Sequence, residues 1–136
     1  MLDRLTPIRR SENMRRIRSC DTKPELIVRS MVHRLGFRFR LHRKDLPGKP
    51  DIVFVSARKI ILVHGCFWHL HERCADGRIP KSQVEYWRPK LLRNVQRDER
   101  ARLRLRKLGW KVLVVWECQV RDLERLTEKV KRFLSD

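Results

Sequence analysis

The stretch 46-LPGKPDIVFVSARKIILV-63 places two short apolar runs between turn-forming segments. Residues 46–51 have the proline and glycine content of a turn, and residues 56–59 form a second, tighter turn. The runs 52–55 and 60–63 are nearly all apolar and rich in β-branched side chains, which predicts central strands buried on both faces. If the two strands pair as an antiparallel hairpin, the start of the first lies beside the end of the second.

Helical and extended patterns continue on both sides of this hairpin. One predicted helix begins after the capping residue Thr22 and stops at Gly36, and the other predicted helices cover 11–18, 85–108 and 123–134. Further strands are predicted over 37–41 and 110–117. With 136 residues, the chain fits a single domain over residues 1–136. The order of these segments predicts an α/β fold in which a central mixed β-sheet is flanked by helices.

Positive charge dominates the composition. Lys and Arg number 34 against 16 acidic residues, which gives a formal net charge of +18. Because this excess accompanies an ordered hydrophobic pattern, it favours a nucleic-acid partner over a merely soluble basic protein. No apolar run is long enough to cross a bilayer, and the basic segment 1–20 lacks a secretory signal. The sequence therefore predicts a cytoplasmic protein without a membrane partner.

A cluster of cysteines and histidines follows the second strand, in 64-HGCFWHLHERC-74. Its spacing predicts a closed structural zinc site with Cys66, His71, Cys74 and the distant Cys118 as ligands. Spacing alone leaves open which histidine binds, and His71 is preferred because it lies nearest to Cys74. The alternative is a set of ordinary buried cysteines. The remaining Cys20 is interpreted as a free thiol.

Several other residues of this region carry the chemistry of phosphodiester cleavage. His64 and His69 are left outside the zinc set and are candidates for proton transfer or phosphate stabilisation. Asp51 opens the first strand, so the hairpin would bring it next to His64, where a carboxylate is a hard oxygen ligand for Mg²⁺. Asp51 alone is also explained as a turn cap. Glu25 is explained by a capping box with Thr22, although it can also approach the metal through a water.

Four segments resemble a known family: 46-LPGKPDIVF-54, 61-ILVHGCFWHLH-71, 85-EYWRPKLLRNVQRD-98 and 108-LGWKVLVVWEC-118. They resemble the very short patch repair (Vsr-type) DNA mismatch endonucleases, a branch of the PD-(D/E)xK superfamily with a restriction-endonuclease-like fold. The likeness begins near Asn13 and ends near Val120. It implies an enzyme that nicks double-stranded DNA 5′ to the thymine of a T·G mismatch, by Mg²⁺-dependent hydrolysis. It also implies association with the bacterial nucleoid, and mismatch-repair proteins are expected as partners. A monomer suits this asymmetric substrate.

The resemblance assigns roles by position. Asp51 and the backbone carbonyl of Val63 would hold Mg²⁺, His69 would be the general base, and His64 would stabilise the phosphate. Glu25 would orient His69 or a metal-bound water. The implied zinc ligands are the same four that the spacing favours. Two departures are a valine in place of the family's usual threonine at Val63 and one extra residue before the last loop cysteine, so the loop is expected to bulge and another histidine remains an alternative ligand.

Contacts with DNA are also implied by position. Phe67, Trp68 and Trp87 correspond to family residues that wedge into the base stack beside the mismatch, with Met14 entering from the opposite groove. Core packing is the alternative for Trp87, and residues 1–20 are expected to contact DNA. Two other functions stay open: a nuclease of the same fold with a different DNA target, such as a homing or restriction enzyme, and a noncatalytic zinc module that only binds nucleic acid.

Overall fold

The helices and strands follow the predicted order in the computed structural model, which describes residues 22–72 and 74–136. Over these residues the helices are α1 (Lys23–Arg34), α2 (Val84–Lys107) and α3 (Leu123–Ser135). The strands are β1 (Arg40–Leu41), β2 (Ile52–Phe54), β3 (Lys59–His64) and β4 (Lys111–Trp116), and short 3₁₀ turns cover Ala75–Gly77 and Glu117–Arg121. The helix predicted over 11–18, together with Met14 and Cys20, lies outside the described residues.

The described strands form one mixed sheet in the order β1-β2-β3-β4. β2 pairs antiparallel with both β1 and β3, which confirms the predicted hairpin, and Ile52 lies opposite Ile61. β3 and β4 are parallel, and α2 supplies the crossover that a parallel pair requires. The carboxyl ends of β3 and β4 therefore meet at one edge of the sheet. The cysteine and histidine segment leaves the sheet at this edge.

Helices cover both faces of the sheet. Side chains alternate along β3, so Ile61 packs with α1 and α3 while Ile60 and Leu62 face α2. The first face buries Val28, Met31, Val32, Ile52, Phe54, Ile61, Val115, Leu126, Val130 and Leu134. The second buries Val53, Ile60, Leu62, Leu105 and Trp110. β2 is buried throughout and β3 nearly so, as their apolar runs predict. None of the helices in the described ranges is long and apolar enough to cross a membrane.

The strand predicted over 37–41 is wrong in its first part, because only Arg40 and Leu41 pair with β2. β2 ends at Phe54, and the chain then turns, with the amide of Arg58 donating to the carbonyl of Val55 at 3.2 Å. In the observed register, residues 37 and 38 would lie opposite residues 56 and 55, beyond the end of β2. Phe37 and Phe39 instead pack edge-on against the ring of Phe54.

The apolar face that the sequence predicts for the long helix α2 is wrong in part; it consists of Leu91, Leu92, Val95, Leu103, Leu105 and Leu108. Leu91 and Leu105 are fully buried, but three other leucines of that face are about half exposed: Leu92, Leu103 and Leu108. The buried stripe of α2 runs instead through Trp87, Leu91, Asn94 and Leu105. These positions share one side of a helix with 3.6 residues per turn. Since the stripe contains a polar residue, α2 carries more than packing contacts to the sheet.

Candidate active site and metal centre

A cleft of about 560 Å³ lies between the β1–β2 connection, the end of β3 and the middle of α2. Its walls carry His42, Asp51, His64, His69 and Asp98, together with the basic residues Lys44, Lys49 and Arg97. A larger groove of about 1700 Å³ runs along α3 and contains neither Asp51 nor His69. The chemistry of the residues, and not the size of the cavity, makes the smaller cleft the candidate active site.

Asp51 lies where β2 begins, and its Oδ2 accepts a hydrogen bond from the amide of Val63 at 2.8 Å. The antiparallel hairpin thus brings this carboxylate to the end of β3, as the sequence predicts. Burial raises the pKa of Asp51 to about 6; the Val63 amide opposes this shift and the charge of Glu25 adds to it. A buried carboxylate that is costly to ionise is a suitable partner for a cation.

The two histidines predicted to stay outside the zinc set lie together in the cleft. The rings of His64 and His69 stack with centroids 3.8 Å apart and planes 7° from parallel. Burial, with a contribution from His69, lowers the pKa of His64 to about 3, so its imidazole is uncharged near neutral pH. Its Nδ1 is buried without a hydrogen-bond partner among the described residues. His64 therefore offers a neutral nitrogen to the cleft.

Sequence reasoning missed the partner of His69, which is Asp98 in the middle of α2. The Nδ1 of His69 is hydrogen-bonded to Oδ2 of Asp98, which leaves its Nε2 available to the cleft. One turn earlier, Asn94 donates to the backbone carbonyl of Trp68 at 3.4 Å and so holds the same loop. The signal in the sequence is the spacing of Asn94 and Asp98, which places two polar residues four apart on the buried side of α2.

The carboxylate of Glu25 is engaged by His42 and Arg29 while His69 is engaged by Asp98, so the expected role of Glu25 toward His69 or a metal-bound water stays a prediction. The backbone amide of Glu25 donates to Oγ1 of Thr22 at 3.4 Å, as a capping box predicts. Its carboxylate does not return to the cap, however: Oε2 lies 2.8 Å from Nε2 of His42 and 3.1 Å from a guanidinium nitrogen of Arg29. Glu25 is only 2% exposed, so it points into the protein toward the cleft. The sequence offered little signal for His42, a lone histidine that follows a basic strand.

The four predicted zinc ligands converge at the carboxyl ends of β3 and β4. The ligand atoms of Cys66, His71, Cys74 and Cys118 all lie within 4.8 Å of one another. Nδ1 of His71 is 3.6 Å from Sγ of Cys66 and 3.4 Å from Sγ of Cys118. A tetrahedral zinc with ordinary bond lengths separates nitrogen and sulfur ligands by about 3.6 Å. The fold thus selects His71 among the three histidines of the segment.

Packing around the cluster fixes its shape. Burial raises the pKa of Cys66 to about 12, so without a cation its thiol keeps the proton that a metal would displace. The ring of His71 stacks on Trp116, with centroids 4.0 Å apart. Gly77 passes so close to the loop that an added Cβ would lie 2.2 Å from the carbonyl oxygen of His71. Glycine is therefore required where residue 77 packs against the backbone of His71.

The three aromatic residues predicted to enter DNA form one cluster beside the cleft. Trp68 and Trp87 are 7% and 4% exposed and pack with Leu91, whereas Phe67 is only partly buried. Their rings meet edge to face, with centroid distances of 5.2 to 6.0 Å. Lys90 lies over both tryptophan rings. Core packing thus accounts for the two tryptophans in this structure, and Phe67 presents the accessible ring.

The sequence similarity to known proteins covers the residues of the cleft and those of the cysteine cluster. The family described as DNA mismatch endonuclease Vsr matches residues 2–76. The type II nicking enzyme V.XorIIP of Xanthomonas oryzae is 52% identical over 135 residues, covering 99% of this chain and 98% of that protein. The DNA mismatch endonuclease Vsr of Escherichia coli K12 is 44% identical over 120 residues, 88% of this chain and 76% of its own length. The type II nicking enzyme V.NmeAIP of Neisseria meningitidis is 40% identical over 136 residues, 100% of this chain and 96% of that protein.

Proposed function

Because this chain belongs to the Vsr family of DNA endonucleases, we propose that it nicks double-stranded DNA 5′ to the thymine of a T·G mismatch, with Mg²⁺ as the catalytic ion. The observation that carries the proposal is the convergence of Asp51, His64 and the His69–Asp98 pair in one cleft. The basic residues on the walls of this cleft attract a phosphodiester backbone. Acid–base and metal-binding groups are thus held where a DNA strand would pass.

The cleft fits a divalent cation. Asp51 is a largely buried carboxylate with a raised pKa, and Glu25 contributes a second carboxylate within 4.8 Å. Two carboxylates this close repel each other, and a cation offsets the repulsion. Asp51 and the backbone carbonyl of Val63 would hold Mg²⁺, with Glu25 behind them. When bound, the ion would lower the pKa of a water and offset charge that develops on the phosphate.

His69 is the general base in this proposal. Its Nδ1 is engaged by Asp98, so Nε2 is the nitrogen that would take the proton from the attacking water. The carboxylate keeps the ring in that tautomer and stabilises the imidazolium that forms when the proton arrives. Stacking on His64 restricts rotation of the ring. Asp98 is therefore a positioning residue for His69.

His64 acts without a charge. Since burial disfavours its protonation, it would contact a phosphate oxygen or a metal-bound water as a hydrogen-bonding partner. Its buried Nδ1 has no partner among the described residues, and a water molecule would satisfy that nitrogen. Phosphate stabilisation by His64 thus depends on hydrogen bonding and not on coulombic attraction.

The cysteine cluster has a structural role in this proposal. Three thiolates and one imidazole fill all four positions of a tetrahedral zinc site and leave none for a substrate. The site ties the loop that carries His69 to the end of β4 through Cys118. Zinc bound by this cluster would keep the general base in place, and Asp51 would hold the hydrolytic ion.

Recognition of the mismatch is assigned to the aromatic cluster. Phe67 would enter the base stack first, with Trp68 and Trp87 supporting it from behind, and Met14 and the basic segment 1–20 would act from the other groove. Separating stacked bases costs a few kcal/mol per step. A T·G wobble pair is opened more easily than a matched pair, which turns this cost into selectivity.

A nicking assay on defined duplexes tests the proposal. Purified protein with Mg²⁺ should nick a T·G duplex on the thymine strand, and Asp51→Asn or His69→Ala should lower the single-turnover rate by about 100-fold or more while DNA binding survives. The exposed Asp45→Asn and His33→Ala are matched controls that should nick normally. Wild-type rates for both cleft variants would contradict the assignment of the active site.

The same assay separates the proposed target from other nuclease targets. T·G duplexes and fully paired duplexes are compared in a panel of flanking sequences. The panel is needed because relatives of this chain are named as type II nicking enzymes as well as mismatch endonucleases. Faster cleavage of a paired duplex in any sequence context would favour a restriction-type or homing-type nuclease. Binding without cleavage in every context would favour a noncatalytic module.

A further inference from the structure

His42 lines the cleft, and the proposed mechanism gives its imidazole no role. Its Nε2 lies 2.8 Å from Oε2 of Glu25, and both residues border Asp51. One donor atom from each of Glu25, His42 and Asp51 can be chosen so that all three lie within 4.8 Å of one another. The group shares no residue with the second group at this cleft, which consists of His64, His69 and Asp98.

The backbone of His42 is held in an unusual conformation. Its φ angle is +49°, in the left-handed region that residues other than glycine seldom adopt. Its amide donates to the carbonyl oxygen of Asp51 at 3.0 Å, so the main chain ties His42 to the residue that would hold the catalytic ion. Backbone strain of this kind is retained where surrounding contacts determine it, and it is concentrated at functional sites.

The separations between the donor atoms suit ligands of one cation. Ligands at right angles around an ion with bonds of 2.0 to 2.1 Å lie about 3.0 Å apart. The distance of 2.8 Å between Nε2 of His42 and Oε2 of Glu25 is close to that value. The carboxylate of Asp51 has an oxygen within 4.8 Å of both other ligands, and opposite positions around such an ion are about 4.2 Å apart. Glu25 is almost completely buried and already turned away from its helix cap, so its carboxylate is oriented before any ion arrives.

We propose that His42 is a nitrogen ligand of the catalytic metal site, which it completes together with Glu25 and Asp51. This inference rests on the proposed function, because it concerns the same site. A neutral imidazole nitrogen binds the transition ions Mn²⁺ and Fe²⁺ better than it binds Mg²⁺, whereas carboxylates bind all three. A site with one imidazole and two carboxylates therefore binds Mn²⁺ more tightly than Mg²⁺, and the imidazole of His42 increases the difference.

Metal binding without DNA tests this assignment independently of nicking. The protein as purified is titrated with Mn²⁺, and free Mn²⁺ is measured by its electron paramagnetic resonance signal. Mg²⁺ affinity is then obtained by competition. His42→Gln keeps a hydrogen-bond donor for Glu25 but lacks the imidazole. It should lower Mn²⁺ affinity by about tenfold or more and Mg²⁺ affinity much less.

Two variants frame this measurement. Asp51→Asn should weaken both ions, and His33→Ala, an exposed histidine on α1, should change neither. If His42→Ala weakens both ions equally and His42→Gln restores both, His42 acts only by holding Glu25 and the proposal is overturned. Unchanged Mn²⁺ affinity in His42→Gln overturns it as well. Normal Mn²⁺ binding with no cleavage of T·G duplexes would contradict the proposed function and leave the ligand assignment standing.

Discussion

Asp98 and His69 are joined by a hydrogen bond between a carboxylate oxygen and Nδ1, although 29 positions separate them in the chain. The contact links the middle of α2 to the loop that follows β3. The helix that connects the parallel strands β3 and β4 therefore also positions the candidate general base. Neither residue is fully buried, so the pair remains accessible to a substrate in the cleft.

Replacing Asp98 should slow catalysis without weakening DNA binding. Asp98→Asn preserves volume, but its amide can present a donor to Nδ1, which favours the tautomer with the wrong free nitrogen. We expect the single-turnover nicking rate to fall by about 100-fold or more. Fluorescence anisotropy should show DNA affinity close to that of the wild type. A normal nicking rate would remove Asp98 from the mechanism, and Asp45→Asn is the matched surface control.

Asp51 should destabilise the metal-free protein at neutral pH. Burial raises the pKa of its carboxyl from the ordinary 3.8 to about 6, so the folded state disfavours the charged form. The contribution of Asp51 to stability is therefore most favourable below pH 4, declines as the pH rises to about 6, and is a constant cost above that. Asp51→Asn should raise the free energy of unfolding by about 1 to 3 kcal/mol at pH 7.

Urea unfolding in buffer without added divalent cations measures this effect. The gain from Asp51→Asn should shrink below pH 6 and vanish near pH 4, following the pKa values of the folded and unfolded carboxyl. Asp45→Asn is an informative control with the opposite sign, since the hydrogen bond from Arg43 lowers the pKa of that exposed carboxyl. Equal stability of the wild type and Asp51→Asn at pH 7 would argue against the raised pKa.

Cys118 should be required for zinc retention. Its thiol is the ligand contributed from beyond β4, so Cys118→Ser opens the site and unties the loop from the sheet. We expect the wild type to keep about one zinc per chain after dialysis and the variant to lose most of it. The thermal midpoint should fall, because structural zinc contributes on the order of 10 kcal/mol to folding. Cys20→Ser is the control, and equal zinc content in the two variants would exclude Cys118 as a ligand.

Gly77 should be needed for zinc affinity even though it is not a ligand. A methyl group at this position would meet the backbone oxygen and nitrogen of His71 at 2.2 and 2.7 Å, so the loop carrying Cys74 would have to move. Gly77→Ala should therefore weaken zinc binding, as measured by competition with a chromophoric chelator. Gly36→Ala has space for its Cβ but a φ of +90°, so it should cost about 1 kcal/mol of stability without affecting zinc. Equal zinc affinities in the two variants would contradict this role.

The hairpin and the cysteine cluster could be predicted because each depends on a distinctive local pattern of residue types. Apolar β-branched runs separated by a tight turn predict two paired strands, and that pairing brought Asp51 to the end of β3. Cysteines near histidines in a reducing compartment indicate a metal site. The boundaries of the short β1 and the buried side of α2 were harder to predict. They depend on the length of the neighbouring strand and on the side chains that pack against each element, which the local sequence does not specify.

The sequence by itself determined the helix and strand order, the family, and the types of residue available for chemistry, since these follow from local patterns and characteristic motifs. The tertiary structure decided the pairing of those residues. It joined His69 to Asp98 and Glu25 to His42, and it chose His71 over its neighbours as the fourth member of the cysteine cluster. Carboxylates and imidazoles have no strong local preference for one partner, so only the packing of α1, α2 and the sheet edge brings each pair within hydrogen-bonding distance.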